Sequence, residues 1–322
     1  MNLSIVIPLL NEQDSLHELH QRISAVLQND YTYEIIFIDD GSTDNSWEII
    51  KFLQSNYPEV KGIKFRKNYG KSQALNAAFA IAKGDVVITM DADLQDFPEE
   101  IPVLYKGIVE GGQDLISGWK QKRQDPVFSK NIPSKLFNAV ARKTSGLELH
   151  DFNCGLKAYK NDVVKSLKLH SDMHRYIPVL AKNAGFNKIS EQKVQHTARK
   201  HGESKFGSSR FVHGFLDLIT LWFVSKFGHR PMHFFGAVGT LMFIFGFIMA
   251  IWIGTSKLYL LYKEVPTILV TNNPWFYLAM LCMIFGMQLF LAGFIGELVV
   301  RNRSESNSFE IQETLGIPSE FV

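Results

Sequence analysis

Two stretches without a single charged side chain, residues 234–253 and 275–296, constrain this chain more than any other feature in it. Each is about 20 residues long, the length at which a helix spans the hydrocarbon core of a bilayer. Soluble cores seldom need two such runs in succession, so the pair reads as a membrane hairpin with spans near 234–254 and 275–297. Gly236, Gly239, Gly246, Gly286, Gly293 and Gly296, with Ala237 and Ala292, give the spans small faces on which helices can approach closely. Lys226, His229 and Arg230 precede the first run and Arg301 and Arg303 follow the second, whereas the loop between carries Lys257, Lys263 and a compensating Glu264. That bias puts both termini on the cytoplasmic side. Asn2-Leu-Ser-Ile-Val-Ile-Pro8 is too short and lacks the basic leader of a signal peptide, so the large N-terminal part is expected in the cytoplasm.

A length of 322 residues suits more than one structural unit. The formal charge of +2 is close to neutral and no basic stripe interleaves with aromatics, which argues against a nucleic-acid partner. Cys154 and Cys282 fall in different parts of the chain and have no zinc-ligand spacing, so both read as reduced thiols.

Before residue 230 short β-rich runs at 3–7, 34–38, 62–65, 85–90 and 114–117 alternate with stretches of helical periodicity at 15–27, 45–53 and 72–82. This is the pattern of an α/β unit with a mainly parallel sheet. Two of the strands deliver acids at their carboxyl ends: Asp39 and Asp40 after one, Asp91 and Asp93 after another. Ligands of such sheets bind beyond the carboxyl ends of the strands, so the two acid pairs describe one cleft. Asp96-Phe-Pro-Glu99 has capping-box spacing and predicts a helix just beyond the second pair. Asp44 reads as a cap for the helix that follows it.

The first strand runs into Pro8-Leu-Leu-Asn-Glu-Gln-Asp-Ser15, which has no glycine to let a pyrophosphate approach the backbone. A nicotinamide or flavin enzyme is thereby disfavoured. Asn11, Glu12, Asp39 and Asp40 instead form an acidic rim on the nucleoside side, and a diphosphate placed there needs a cation to offset its charge. Asp91 and Asp93 supply oxygen ligands suited to Mg²⁺ or Mn²⁺. Lys205, with Ser204 and Arg199 on a glycine-flanked loop, is a candidate diphosphate clamp.

Val6-Ile-Pro-Leu-Leu-Asn-Glu12, Ile38-Asp-Asp-Gly-Ser-Thr-Asp44, Arg66-Lys-Asn-Tyr-Gly-Lys71 and Met90-Asp-Ala-Asp-Leu-Gln-Asp-Phe-Pro-Glu99 occur in this order. Together they resemble a family 2 glycosyltransferase with the GT-A fold. Asp151-Phe-Asn-Cys-Gly-Leu-Lys-Ala-Tyr159, His201-Gly-Glu-Ser-Lys205 and the terminal hairpin extend the likeness to the polyprenyl-phosphate glycosyltransferases, a group that includes bactoprenol glucosyltransferases and dolichyl-phosphate mannose synthases.

The resemblance implies inverting transfer of a sugar from a nucleotide diphosphate to a polyprenyl phosphate such as undecaprenyl phosphate. UDP-glucose is the default donor; UDP-galactose, UDP-N-acetyl sugars, modified arabinose donors and GDP-mannose stay open. It implies a nucleotide-sugar site of Pro8, Leu10, Glu12, Asp39, Asp40, Lys71, Asp91, Ala92 and Lys205, with Gln95 completing the metal site of Asp91 and Asp93. Lys120, Arg123, Lys130 and Ser134 are implied to grip the acceptor phosphate, and Asp93, Asp151, Lys130 and Ser134 to serve the chemistry. Lys120 stands where relatives often carry arginine, whose forked contact a lysine cannot reproduce. Asp151 is left with three roles: binding sugar hydroxyls, orienting the acceptor, or acting as a base. A homo-oligomer, a flippase and a downstream glycosyltransferase are the implied protein partners, and the inner membrane the implied location.

Between the two parts, Phe211, Phe215, Leu218, Ile219, Trp222 and Phe223 recur at helical spacing among Arg210, His213, Asp217 and Lys226, the pattern of an interfacial amphipathic helix. The expected organisation is a cytoplasmic GT-A domain over 1–205, an interfacial region over 206–232, two transmembrane helices over 233–300 and a cytoplasmic tail over 301–322. A processive polysaccharide synthase is disfavoured by the small number of spans and the lack of a Gln-x-x-Arg-Trp motif. A nonenzymatic membrane scaffold is disfavoured by the intact Asp91, Asp93, Gln95 and Asp151.

Overall fold

A computed structural model describes residues 1–120, 138, 141–142, 145–169, 173–197, 223, 227, 230–301 and 311–316. Two compact units emerge: Met1–Ser225 together with Asn307–Val322, and Lys226–Ser306.

Short apolar runs rich in β-branched side chains build the first unit around a sheet of eight strands among the described residues. In chain order these are β1 (Leu3–Leu9), β2 (Tyr33–Asp39), β3 (Val60–Phe65), β4 (Val86–Thr89), β5 (Leu115–Lys120), β6 (Lys157–Lys160), β7 (Ile189–Val194) and β8 (Ile311–Leu315). Their spatial order is β7-β5-β6-β4-β1-β2-β3-β8. All five strands expected from sequence are present. Six strands run one way, and β6 and β8 run against them.

The period of two sorts side chains onto two faces. Leu3, Ile5, Ile7 and Leu9 of β1, Ile35 and Phe37 of β2 and Val86 and Ile88 of β4 pack on one side. There they meet α1 (Leu16–Leu27), α2 (Ser46–Asn56) and α4 (Ile101–Val109). Val6, Ile36, Ile38 and Val87 point the other way, toward α3 (Lys71–Ile81), α5 (Asn161–Ser166) and α6 (Ile177–Asn183). Leu16, Leu19, Ile23 and Leu27 show why α1 is a helix: spacings of three and four put one apolar stripe on the sheet.

The tail expected over 301–322 contains β8, which pairs antiparallel with β3 and covers its edge. Glu313 on β8 accepts a hydrogen bond from Trp47 Nε1 at 2.8 Å and lies 3.4 Å from Lys51 Nζ.

In the second unit α7 (Pro231–Tyr262) and α8 (Pro274–Arg301) form an antiparallel hairpin, and both are long and apolar enough to cross a membrane. Only 17% of the most apolar window of each is buried, which sets them apart from core helices of a soluble protein. A Cβ on Gly239 would stand 2.5 Å from the Gly286 carbonyl oxygen, and one on Gly246 equally close to that of Ala279. The small residues are therefore used on each other within the hairpin. At 32 residues α7 extends past the expected span at 254. The amphipathic stretch 206–227 lies outside the described residues apart from Phe223 and Phe227.

Candidate active site

The described candidate side chains gather at the carboxyl edge of the sheet. β4, β1 and β2 are consecutive neighbours running the same way, so the loops after Leu9, Asp39 and Thr89 emerge side by side. β5 ends at this edge on Lys120, and β6, being reversed, starts there on Lys157.

The first two loops are stitched together. Asn11 N–H donates to Ser42 Oγ at 2.8 Å, and Asn11 Oδ1 accepts from Thr43 N–H at 2.8 Å. Asn11 adopts a φ of 53°, a left-handed conformation that asparagine tolerates better than most residues. Glu12 N–H donates to Ser46 Oγ at 3.0 Å. Pro8 sits in β1 opposite Ile38, with Leu10 and Glu12 half-buried in the loop that follows. Asp44 precedes the N-cap of α2, which is Asn45: its Oδ1 accepts from Ser46 N–H at 3.0 Å, and Oδ2 takes Gln13 N–H from the neighbouring loop at 3.2 Å.

Asp39 and Asp40 are both buried. Asp39 Oδ1 accepts from Ser42 N–H at 2.7 Å, while the buried Oδ2 has no hydrogen-bond partner among the described residues. A buried acceptor left open is suited to an N–H or O–H brought by a ligand. Asp40 accepts two backbone N–H groups, Tyr69 at 2.7 Å and Gly70 at 2.9 Å. Burial raises the pKa of both carboxyls above the ordinary value against the pull of these hydrogen bonds. The turn held by Asp40 needs glycine at position 70, where φ is 92°, and it delivers Lys71 as the first residue of α3.

Lys71 Nζ pairs with Asp91 Oδ1. Burial alone would raise the Asp91 pKa, but Lys71, Lys120 and Lys157 together hold it far below the usual carboxylate range. The residue after the acid pair, Leu94, is forced to a φ of 59°, and Gln95 N–H closes an Asx turn on Asp93 Oδ1 at 3.2 Å. Such strain in a branched side chain persists only where surrounding contacts over-determine it. Here they do: Thr197 N–H donates to Gln95 O at 3.2 Å, Gln95 Nε2 donates to Thr197 O at 3.3 Å, and Asp96 bridges His196. Ala92 and Leu94 are buried beneath the turn.

The expected capping box does not form. Asp96 is buried and pairs with Lys120 Nζ at 2.6 Å; Phe97 is the residue that leads into a short 3₁₀ turn, Pro98–Glu100, before α4. Asp96 is thus spent on a buried ion pair across the sheet, which takes precedence over a solvent-side cap. Lys120 is enclosed with it; burial works against its charge, but Asp96, Cys154 and Asp91 raise its pKa above the ordinary value.

Asp151 is buried, and its Oδ1 accepts from Asn153 N–H at 3.0 Å. Three features of this region are not apparent from the sequence. Gly155 backs Asp91 so closely that a Cβ would stand 2.4 Å from Oδ2. Lys157 is buried, donates from Nζ to the Cys154 carbonyl and has its pKa lowered, chiefly by burial. Ser72 Oγ accepts from His174 N–H at 2.9 Å and lies 3.1 Å from His174 Nδ1. Burial, then Lys71, Arg175 and Lys157, lower the His174 pKa well below its usual value, so the imidazole is neutral at pH 7. Cys154 is buried and unbridged, its thiol pushed up to about 12 mainly by burial.

Among the described residues there is no group of three or more His, Cys, Asp or Glu that could hold a metal. Asp91 and Asp93 nonetheless fit one. Mg²⁺ and Mn²⁺ are habitually held by one or two carboxylates plus substrate phosphates and water, and Gly155 leaves Asp91 the room that a side chain would fill. Arg123, Lys130, Ser134 and Lys205 lie outside the described residues.

Residues 4–168 match the model of glycosyl transferase family 2. The chain is a family 2 glycosyltransferase. A dodecaprenyl-phosphate galacturonate synthase of Rhizobium johnstonii is 31% identical to the transferase over 304 residues, covering 94% of this chain and 88% of that protein. An undecaprenyl-phosphate 4-deoxy-4-formamido-L-arabinose transferase of Edwardsiella ictaluri is 38% identical over 250 residues, covering 77% and 74%. Among solved structures, a glucosyl-3-phosphoglycerate synthase of Mycobacterium tuberculosis in complex with Mn²⁺ and UDP-glucose matches with a TM-score of 0.55 at 19% identity, over 70% of this chain and 78% of that one. At that identity the likeness establishes the GT-A fold of the transferase, as expected from its sequence.

Proposed function

We propose that the transferase moves a sugar from a UDP-sugar to a polyprenyl phosphate at the inner membrane, with Mg²⁺ or Mn²⁺ as cofactor. One observation carries the reading: the match to the dodecaprenyl-phosphate enzyme runs over 94% of the chain and so takes in the apolar hairpin as well as the donor fold. The relatives are named for galacturonate and for 4-deoxy-4-formamido-L-arabinose, which weighs against glucose as the default sugar.

In this reading an acceptor phosphate oxygen attacks the anomeric carbon. The bond from that carbon to the nucleotide diphosphate breaks, and the configuration inverts. A phosphate monoester is largely ionised at neutral pH, so the attack needs little help from a base. Asp39 and Asp40 bind the nucleoside end with Pro8, Leu10 and Glu12, and Asp91 and Asp93 face the diphosphate. A bound divalent ion would neutralise charge that builds on the leaving diphosphate. Lys71 and Lys205 are assigned to the donor, Arg123, Lys130 and Ser134 to the acceptor phosphate, and Asp151 to the transferred sugar. Lys120, paired with buried Asp96, serves this site by fixing the Asp-x-Asp loop.

Charge and connectivity support an orientation. Basic residues cluster outside the hairpin, and the pairing of β8 with β3 is in keeping with an even number of crossings. Two spans with the catalytic unit and both termini in the cytoplasm satisfy both. The lipid-linked product then needs a flippase and a downstream transferase to reach a surface glycan.

The test is product formation by purified protein given undecaprenyl phosphate, Mg²⁺ or Mn²⁺, and radiolabelled UDP-glucose, UDP-galacturonate, UDP-4-deoxy-4-formamido-L-arabinose and GDP-mannose, scored as label entering the organic phase. Metal-dependent transfer from one UDP-sugar is expected. Transfer from GDP-mannose alone would overturn the nucleotide assignment, and label passing only to a water-soluble acceptor would overturn the lipid one.

A further inference from the structure

We infer that Lys71 is an internal counter-cation on the Asp91 carboxylate, so that a divalent ion binds weakly until the nucleotide arrives with it. The inference rests on the donor and metal roles proposed above and adds an order to their binding.

Three lysines bear on Asp91, and the structure commits two of them elsewhere. Lys120 is 10% exposed and paired with Asp96; Lys157 is buried with its ammonium on the Cys154 carbonyl. Lys71 differs in both respects. Its ammonium sits directly on Asp91 Oδ1, and the two side chains are 31% and 34% exposed, so the pair lies where solvent and a ligand can reach it.

The backbone behind Lys71 is fixed, because Asp40 holds the N–H groups of Tyr69 and Gly70. What can move is the four-carbon stem. A divalent ion approaching Asp91 alone meets a carboxylate whose charge is already balanced by an ammonium, and like charges repel strongly at such distances. A nucleotide diphosphate changes that balance by offering Lys71 a second anion. With Lys71 turned to the diphosphate, Asp91 is free for the ion. Binding of metal and nucleotide are then coupled, and by linkage each strengthens the other by the same factor. Gly155 matters here as well, since it leaves Asp91 Oδ2 uncovered by any side chain at that position.

The test measures Mn²⁺ affinity of the full-length protein in detergent, by the electron paramagnetic resonance signal of free Mn²⁺, alone and with saturating UDP. Wild type should bind Mn²⁺ weakly alone and more tightly with UDP. Lys71→Gln should bind Mn²⁺ alone about five- to tenfold more tightly than wild type, and UDP should improve that affinity by a correspondingly smaller factor. Lys71→Arg, which keeps the charge, should restore the wild-type pattern. An unchanged or weaker Mn²⁺ affinity for Lys71→Gln alone, with UDP-dependent Mn²⁺ binding intact in wild type, would overturn the counter-cation role and leave the proposed function standing. Absence of Mn²⁺ binding from every form, with and without UDP, would overturn both. Asp91→Asn gives the control, because its Mn²⁺ affinity should fall whichever residue stands at 71.

Discussion

The two acid pairs end strands on either side of β1, yet they are solved in opposite ways. Asp39 and Asp40 are buried and met by backbone: one by Ser42, the other by Tyr69 and Gly70. Asp91 is partly open and met by side-chain charge, with Lys71 on one oxygen and Gly155 behind the other. Backbone N–H groups cannot leave, so the first pair is a fixed shape with an open acceptor. An ammonium on a long stem can leave, so the second is a charge that can be exchanged. Fixed acceptors suit the recognition of a base or ribose; exchangeable charge suits an ion and a diphosphate that come and go.

The largest effect should come from the exchangeable side. Asp93→Asn, which at nearly constant volume removes a charge proposed to hold the ion, should lower transfer by on the order of 10²-fold or more while leaving the thermal unfolding midpoint close to wild type. A rate near wild type with unchanged metal dependence would remove the distinction between the pairs. Next comes Gly155→Ala, which puts a Cβ 2.4 Å from Asp91 Oδ2. Overpacking of this kind costs roughly 1–3 kcal/mol, to be read as a lowered midpoint together with weakened Mn²⁺ binding in the presence of UDP.

On the fixed side, Asp40→Asn keeps the shape but can accept through one atom only, leaving one of the Tyr69 and Gly70 N–H groups facing an amide. A loss of about 1–2 kcal/mol in UDP affinity is expected by calorimetry. The smallest effect is a pH ordering. Asp39 and Asp40 have raised pKa values and Asp91 a lowered one. As pH falls from 7, the first pair takes up protons before ordinary carboxylates do, and Asp91 only after them. UDP affinity should therefore decline at a higher pH than the Lys71–Asp91 pairing does. For folding the signs are opposite. Protonating Asp39 and Asp40 relieves a burial cost, so stability rises as pH falls through their folded values. The Asp91 contribution is present above the unfolded value and is lost as pH falls toward its depressed one. Chemical-denaturant midpoints of wild type, Asp40→Asn and Asp91→Asn, followed from pH 7 to about pH 2, separate these two slopes.

What was legible in the sequence was what is local. Strands at 3–7 and 34–38 announce themselves as short apolar β-rich runs, and Asp39 and Asp40 by their position at the end of the second. The charge-free runs announce helices by length. Lys157 was illegible because its burial depends on β6 entering in reverse between β4 and β5, a pairing across a long stretch of chain. Asp96 misled because its capping-box spacing is local, whereas the ion pair with Lys120 that claims it is not. Gly155 carries no signal at all, since its purpose is the space that it leaves for a carboxylate from another strand. β8 is five residues of mixed polarity and becomes a strand only because β3 offers it an edge. Of the candidate site, the acids and Lys71 were legible, and the enclosure around them was not.

The return of the chain through β8 also sets an order of manufacture. Translation runs from the amino terminus, so β1 to β7 are made first, and the outer edge of β3 stays bare while both apolar helices are synthesised. Bare strand edges invite pairing with other chains. The sheet is finished only by a segment made after both apolar helices, which makes a completed sheet a certificate that the hairpin before it has been made.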